Sequence, residues 1–129
     1  MLPDRDDRRK REPFDMSRDV LFLLEPGFAD PKHPGQRFVC PHGLPIEGLL
    51  ASAPDLAARL DVKRVGFERP RPAVIDALDD AHQGLPVLVL GRDRPAPDDA
   101  QTLGDVRFVT DARRILELLA ERHGFPALH

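Results

Sequence analysis

The sequence predicts an α/β domain with a mixed central sheet, helices on both of its faces, and the element order β-α-β-α-β-β-α. Three observations carry this. Residues 20–24 (VLFLL) and 86–90 (PVLVL) are uninterrupted apolar runs of strand length, the pattern of strands buried on both faces. Helical apolar spacing follows the first run and recurs before the second. The last two strand candidates have no helix pattern between them, so they pair antiparallel, while the helices before them allow two right-handed β-α-β crossovers with parallel pairing.

The chain has 129 residues, enough for one core that buries roughly two-thirds of the surface of the unfolded chain. Residues 1–13 carry five basic and four acidic side chains and little apolar content, so residues 1–15 are expected to be a disordered tail, with Met16 as an alternative start and the domain at 16–129. The run at 20–24 stops at Glu25-Pro26-Gly27, and residues 25–39 form a long connection of the kind that bears function. After Gly43, Pro45 suits a first helical turn, and Ile46, Leu49, Leu50 and Ala53 share one face. Pro54 breaks that helix and starts a second, short one. Residues 62–67 alternate as a half-buried strand does, and residues 73–82 form a helix that ends at Gly84. Residues 106–109 are a short strand. Thr110 or Asp111 caps a terminal helix running to His123, with Gly124 in the stop position.

Composition excludes several function classes. The formal net charge is −3 and the pI about 5.9, which leaves no surplus of cations for broad nucleic-acid binding. Tyr and Trp are absent, so stacking surfaces for single strands are scarce. No apolar run approaches the roughly 20 residues of a membrane span. Cys40 is the sole cysteine; it excludes an intrachain disulfide and fits a reducing, cytoplasmic compartment.

Cys40-Pro41-His42-Gly43 lies just before the first helix, Leu85-Pro86 just before the second apolar strand, and Thr110-Asp111 before the last helix. In these residues and in its element order the chain resembles the thioredoxin-like superfamily over most of residues 19–125. The first run looks like a Cys-x-x-Cys redox motif whose second cysteine is Gly43, and Pro86 is similar to the cis-proline such proteins keep beside the active cysteine. The chain also resembles an uncharacterised bacterial domain-of-unknown-function family in which Cys-Pro-His is followed by Ile-Glu-Gly-Leu-Leu-Ala, here residues 46–51. The connection at 25–39 is longer than thioredoxins use, and Gly43 removes the resolving thiol.

A thiol at a helix start meets unpaired N–H groups, and a protonated His42 beside it favours thiolate. Cys40, His42 and Pro86 are therefore the candidate reactive residues, with Pro41, Gly43, Leu85, Arg69 and Arg71 as candidate substrate or partner contacts. Arg69 and Arg71 pair well with a carboxylate, or else are solvated. Without a second thiol, dithiol exchange is excluded. Three readings remain: a binding or regulatory module using the groove between Cys40 and Pro86, a monothiol oxidoreductase finished by an external thiol such as glutathione, or a metal protein using Cys40 and His42. Against a reactive thiol, Cys40 reads as a small hydrophobe near a helix start, since free cysteines are more often buried than catalytic. Zinc is disfavoured because only two soft ligands lie together, with His33 in the long loop and Glu25, Asp30 or Glu47 left to complete the set. No cofactor is expected beyond such a thiol. The expected partners are a peptide, a protein or a small thiol, with neither nucleic acid nor membrane. Glu47 complements the helix dipole, and His82, His123 and His129 are assigned no site.

Overall fold

A computed structural model describes residues 17–129; the expected tail and the alternative start at Met16 fall outside the described residues. The elements in chain order are β1 (Val20–Leu24), β2 (Phe28–Ala29), β3 (Arg37–Phe38), α1 (Leu44–Ser52), α2 (Pro54–Arg59), β4 (Asp61–Val65), α3 (Pro72–Ala77), β5 (Val87–Leu90), β6 (Gln101–Leu103), β7 (Val106–Val109) and α4 (Ala112–His123). Five strands form one mixed sheet in the order β4-β1-β5-β7-β6, and β2 pairs with β3 in a separate two-stranded sheet.

Both faces of the sheet are covered. Successive side chains on a strand point to opposite faces, so Leu21 and Leu23 of β1 pack with Ile46 and Leu50 of α1 and Ile115, Leu118 and Leu119 of α4. Val20 and Phe22 face the other way and pack with Val74 and Ala77 of α3. All four inner residues of β1 and all of β5 are buried, as their unbroken apolar runs require. Asp111 caps α4 by accepting the Arg114 N–H at 2.9 Å, and Gly124 ends it with φ +77°.

Four features depart from the sequence-based expectation. First, β1 and β4 are parallel, but β5 runs antiparallel to β1, so the second crossover does not form. The Gly91 N–H just after β5 donates to the Asp19 carboxylate just before β1 at 2.8 Å, a contact that sets the end of β5 against the start of β1. The chain re-enters from the end at which it left. Second, α3 stops at Ala77 rather than reaching His82. The Asp79 carboxylate accepts the Ala81 N–H at 3.1 Å and meets His82 Nδ1 at 2.6 Å, a local turn that competes with further helix. Third, the connection at 25–39 contains the β2–β3 pair, where Phe28 lies opposite Phe38. Fourth, β6 was not anticipated. Gly104, at φ +61°, and Asp105 turn the chain from β6 into β7, and Gly-Asp between strand-like residues is a recognisable hairpin signal.

The N-terminal end of β1 is closed by a buried carboxylate. Asp19 accepts the Gly91 N–H at 2.8 Å, both guanidinium nitrogens Nε and Nη2 of Arg122 at 2.7 and 2.8 Å, and meets His123 Nε2 at 2.8 Å. Gly91 is obligatory here, since a Cβ on it would stand 2.3 Å from the Arg18 backbone. Burial pushes the Asp19 carboxyl up, but hydrogen bonds from His123, Arg122 and Gly91 outweigh it and hold it well below the usual carboxylate range. Its contribution to stability is therefore fully present above its unfolded-state value of about 4 and is lost as pH falls below that toward the folded-state value. Asp19→Asn is expected to cost about 3–5 kcal/mol in urea unfolding at pH 7, because it strands the buried Arg122, and to flatten the loss of stability on acidification below about pH 4. Gly91→Ala is expected to destabilise by moving the backbone of residue 18, read as a lower urea midpoint with unchanged slope.

Candidate functional site

The opposite end of the sheet is open. Because β1 and β4 are parallel neighbours, Leu24 and Val65 end side by side, joined by the Glu25 N–H to Val65 carbonyl bond at 2.8 Å. The helices that follow these strands pack on opposite faces, α1 on one and α3 on the other. The two loops therefore diverge and leave a crevice at the carboxyl ends of the strands, where open α/β sheets hold ligands.

Cys40 stands on the α1 side. Its carbonyl accepts the Leu44 N–H at 3.0 Å, so residues 40–43 form a turn leading straight into the helix. The residue is half-buried, while Pro41 and His42 are exposed and Gly43 is buried. Cys40 lines a small hollow with Leu24, Pro26, Val39, Gly43, Leu44 and Glu47. Gly43 has φ −81°, a conformation open to any residue, and a Cβ built there lies 3.7 Å from Cys40 Cβ and 3.9 Å from its Sγ. That separation is the mean for disulfide-bonded pairs. A cysteine at position 43 would therefore stand within disulfide reach of Cys40.

Two large apolar side chains flank the thiol in solvent. Among the described residues the exposed large hydrophobics are Val39, Leu44 and Leu128, at 48, 55 and 45 % exposure. The sequence reading missed this patch, although Leu44 falls off the apolar stripe of its own helix and Val39 directly precedes the cysteine. Glu47 does more than complement a dipole. Its carboxylate receives Arg64 Nε and Nη2 at 2.9 and 2.7 Å, which ties α1 to β4, and the pair raises the guanidinium above its ordinary value.

The remaining predicted residues divide. Pro86 is buried and follows a cis Leu85-Pro86 bond. The β1–β5 register pairs Phe22 with Val87, so continuing it sets Pro86 beside Leu23, next to the Leu24 that lines the Cys40 hollow. Leu85 is half-buried and packs on the Val74 face. Arg69 is exposed. Arg71 is neither solvated nor extended toward solvent: its residue is only 6 % exposed, and its guanidinium donates to the carbonyls of Gly66, Phe67 and Gln83. Among the described residues no three metal-ligating side chains converge, so Cys40 and His42 gain no third donor from His33 or Glu47. His123, assigned no site from sequence, is a partner of Asp19 at the far end of the sheet, as is Arg122. The separation of an acid from its partners by 103 residues left no sequence signal.

A family model described as a protein of unknown function, DUF3088, matches residues 18–127. No curated protein and no solved structure matches the chain.

Gly43→Cys is expected to form an intramolecular disulfide with Cys40 under mild oxidation, since the Cβ separation needs no backbone movement. Intact mass and titration of free thiols check this; a variant that retains two titratable thiols under oxidising conditions would contradict the geometry.

Proposed function

From the premise that this chain belongs to the DUF3088 family of proteins of unknown function, we propose that it is a thioredoxin-like binding module whose lone cysteine marks a docking face for an extended peptide of a partner. The observation that carries this is the pair of exposed apolar side chains on either side of Cys40, Val39 and Leu44. Leu128 is the one other exposed large hydrophobic among the described residues, and an apolar patch clustered at a crevice favours a partner. The element order, the helix start after residues 40–43 and Pro86 at the same end of the sheet support the thioredoxin-like reading. Because Pro86 is buried, Val39, Cys40 and Leu44 supply the contact area while Pro86 backs it.

A second reading has its own observation. Cys40 is partly open to solvent and lies close enough to Arg71 to interact with it electrostatically. A monothiol oxidoreductase would use this thiol to attack an external disulfide such as oxidised glutathione, forming a mixed disulfide and releasing one thiolate, with a second external thiol completing the exchange.

Selection from a randomised nonapeptide phage library separates the two. Docking predicts selected peptides that bind Cys40→Ser as they bind the native chain. It also predicts a loss of affinity of about tenfold or more on Val39→Ser with Leu44→Ser, since desolvating each side chain is worth about 1.5–3 kcal/mol. Selection of no binder, or binding indifferent to both apolar substitutions, would remove the docking reading. Stoichiometric glutathionylation of Cys40 by oxidised glutathione, reversed by reduced glutathione, is what the monothiol reading predicts.

A further inference from the structure

The α3 side of the crevice holds a buried cation that no carboxylate among the described residues pairs with. Arg71 is 94 % buried, and in folded proteins a charge so placed is normally paired, because removing it from water is costly. Here three carbonyls hold the guanidinium, at 3.2 Å from Gly66, 2.8 Å from Gln83 and 2.5 Å from Phe67, and the Gln83 side chain accepts the Arg71 backbone N–H at 2.7 Å. These bonds fix its orientation and offset part of its charge. They leave the full positive unit in place, and among the described residues no carboxylate pairs with it.

Arg71 is also a wall of a cavity of about 520 Å³, within the range of small-molecule sites. Lys32, in the turn between β2 and β3, and Arg69 stand at its rim, and both are exposed. Phe67 and Pro31 add apolar wall. Phe67 is itself held rigid, stacked on Phe28 at 4.6 Å between centroids and covered by the Arg71 guanidinium 6.0 Å from its ring. Two carboxylates share the cavity. Asp30 turns one oxygen back to the Lys32 backbone N–H at 3.0 Å, so it is engaged in its own turn, whereas Glu68 is exposed and competes for the rim cations.

We propose that this cavity binds a small organic anion, its carboxylate or phosphate group held by Arg69 and Lys32 over the buried charge of Arg71 and its apolar part laid against Phe67 and Pro31. The location agrees with the topology, since the loops after the parallel strands β1 and β4 open here. Burial and the neighbouring Arg69 push the Arg71 guanidinium down from its ordinary value against a smaller opposing effect of Cys40, and an arriving anion would act in the same sense as Cys40. The cavity is lined by none of Val39, Cys40 and Leu44, and Cys40 reaches it only through its electrostatic effect on Arg71.

Amide NMR titration of the native chain with benzoate and phenyl phosphate, with benzyl alcohol as the neutral counterpart, tests it. At least one of the anions is expected to give saturable shifts at the amides of Lys32, Phe67, Glu68, Arg69 and Arg71, and which one does so names the group recognised. Benzyl alcohol is expected to give none, and Cys40→Ser to bind as the native chain does. Arg71→Gln removes the buried charge but also removes fold contacts, so the deciding variants are the surface ones. Lys32→Ala with Arg69→Ala is expected to weaken binding tenfold or more, and Glu68→Gln to strengthen it severalfold. Absence of saturable shifts with both anions, equal binding of benzyl alcohol, or a double variant that binds as the native chain does would overturn the proposal.

Discussion

Asp19 is a carboxylate buried at the start of β1, and it gathers an N–H from the end of β5, a guanidinium and an imidazole from the end of α4. These partners come from 72 to 104 residues away in the chain. The loss of hydration at such a site is large, and only the convergence of all three donors offsets it. Once they converge, the beginning of β1 is pinned against the end of β5, and the antiparallel register of the two central strands follows. Gly91 belongs to the same constraint, because its backbone passes so close to Arg18 that no side chain fits.

Closing one end of the sheet so firmly leaves the other end free to vary. A cavity of about 360 Å³ does lie at the closed end, lined by Arg59, Arg94 and the Asp19 cluster, and there the buried carboxylate is paired with Arg122 and His123. At the open end the buried charge is a cation, Arg71, held by carbonyls. Parallel β1 and β4 deliver their loops to opposite faces, Cys40 rises on the α1 side, and on the α3 side sits a buried guanidinium held by carbonyls and paired with no carboxylate among the described residues. The β2–β3 pair bridges the two sides through the stacked rings of Phe28 and Phe67. Rigidity at one end of a small domain and unspent chemistry at the other is the division of labour that a binding fold needs.

Much of this was legible from the residues. Continuous apolar runs marked β1 and β5, Pro45 and Pro54 marked the starts of α1 and α2, and Gly124 ended α4, because each acts through local backbone sterics. Cys40 was found by its own rarity, and its neighbour Gly43 by position. Arg71 was named but given the wrong setting. An arginine beside two prolines reads as a surface residue, and nothing local reveals that Gly66, Phe67 and Gln83 turn their carbonyls toward it. Asp19 was missed altogether, since its three partners are remote in sequence.

The sequence by itself determined the strands β1, β4, β5 and β7, the starts of the four helices, and that a solitary thiol precedes the first of them. These are properties of short windows, governed by side-chain periodicity and by proline and glycine. Only the tertiary structure decided which way β5 runs, which cations are buried and which apolar side chains stay in solvent. A strand that is apolar throughout has the same pattern in either direction, so its orientation is set by what its ends meet, here the Asp19 carboxylate that receives the Gly91 N–H. A charge is buried or exposed according to which distant carbonyls and carboxylates fold against it, and that is a matter of packing.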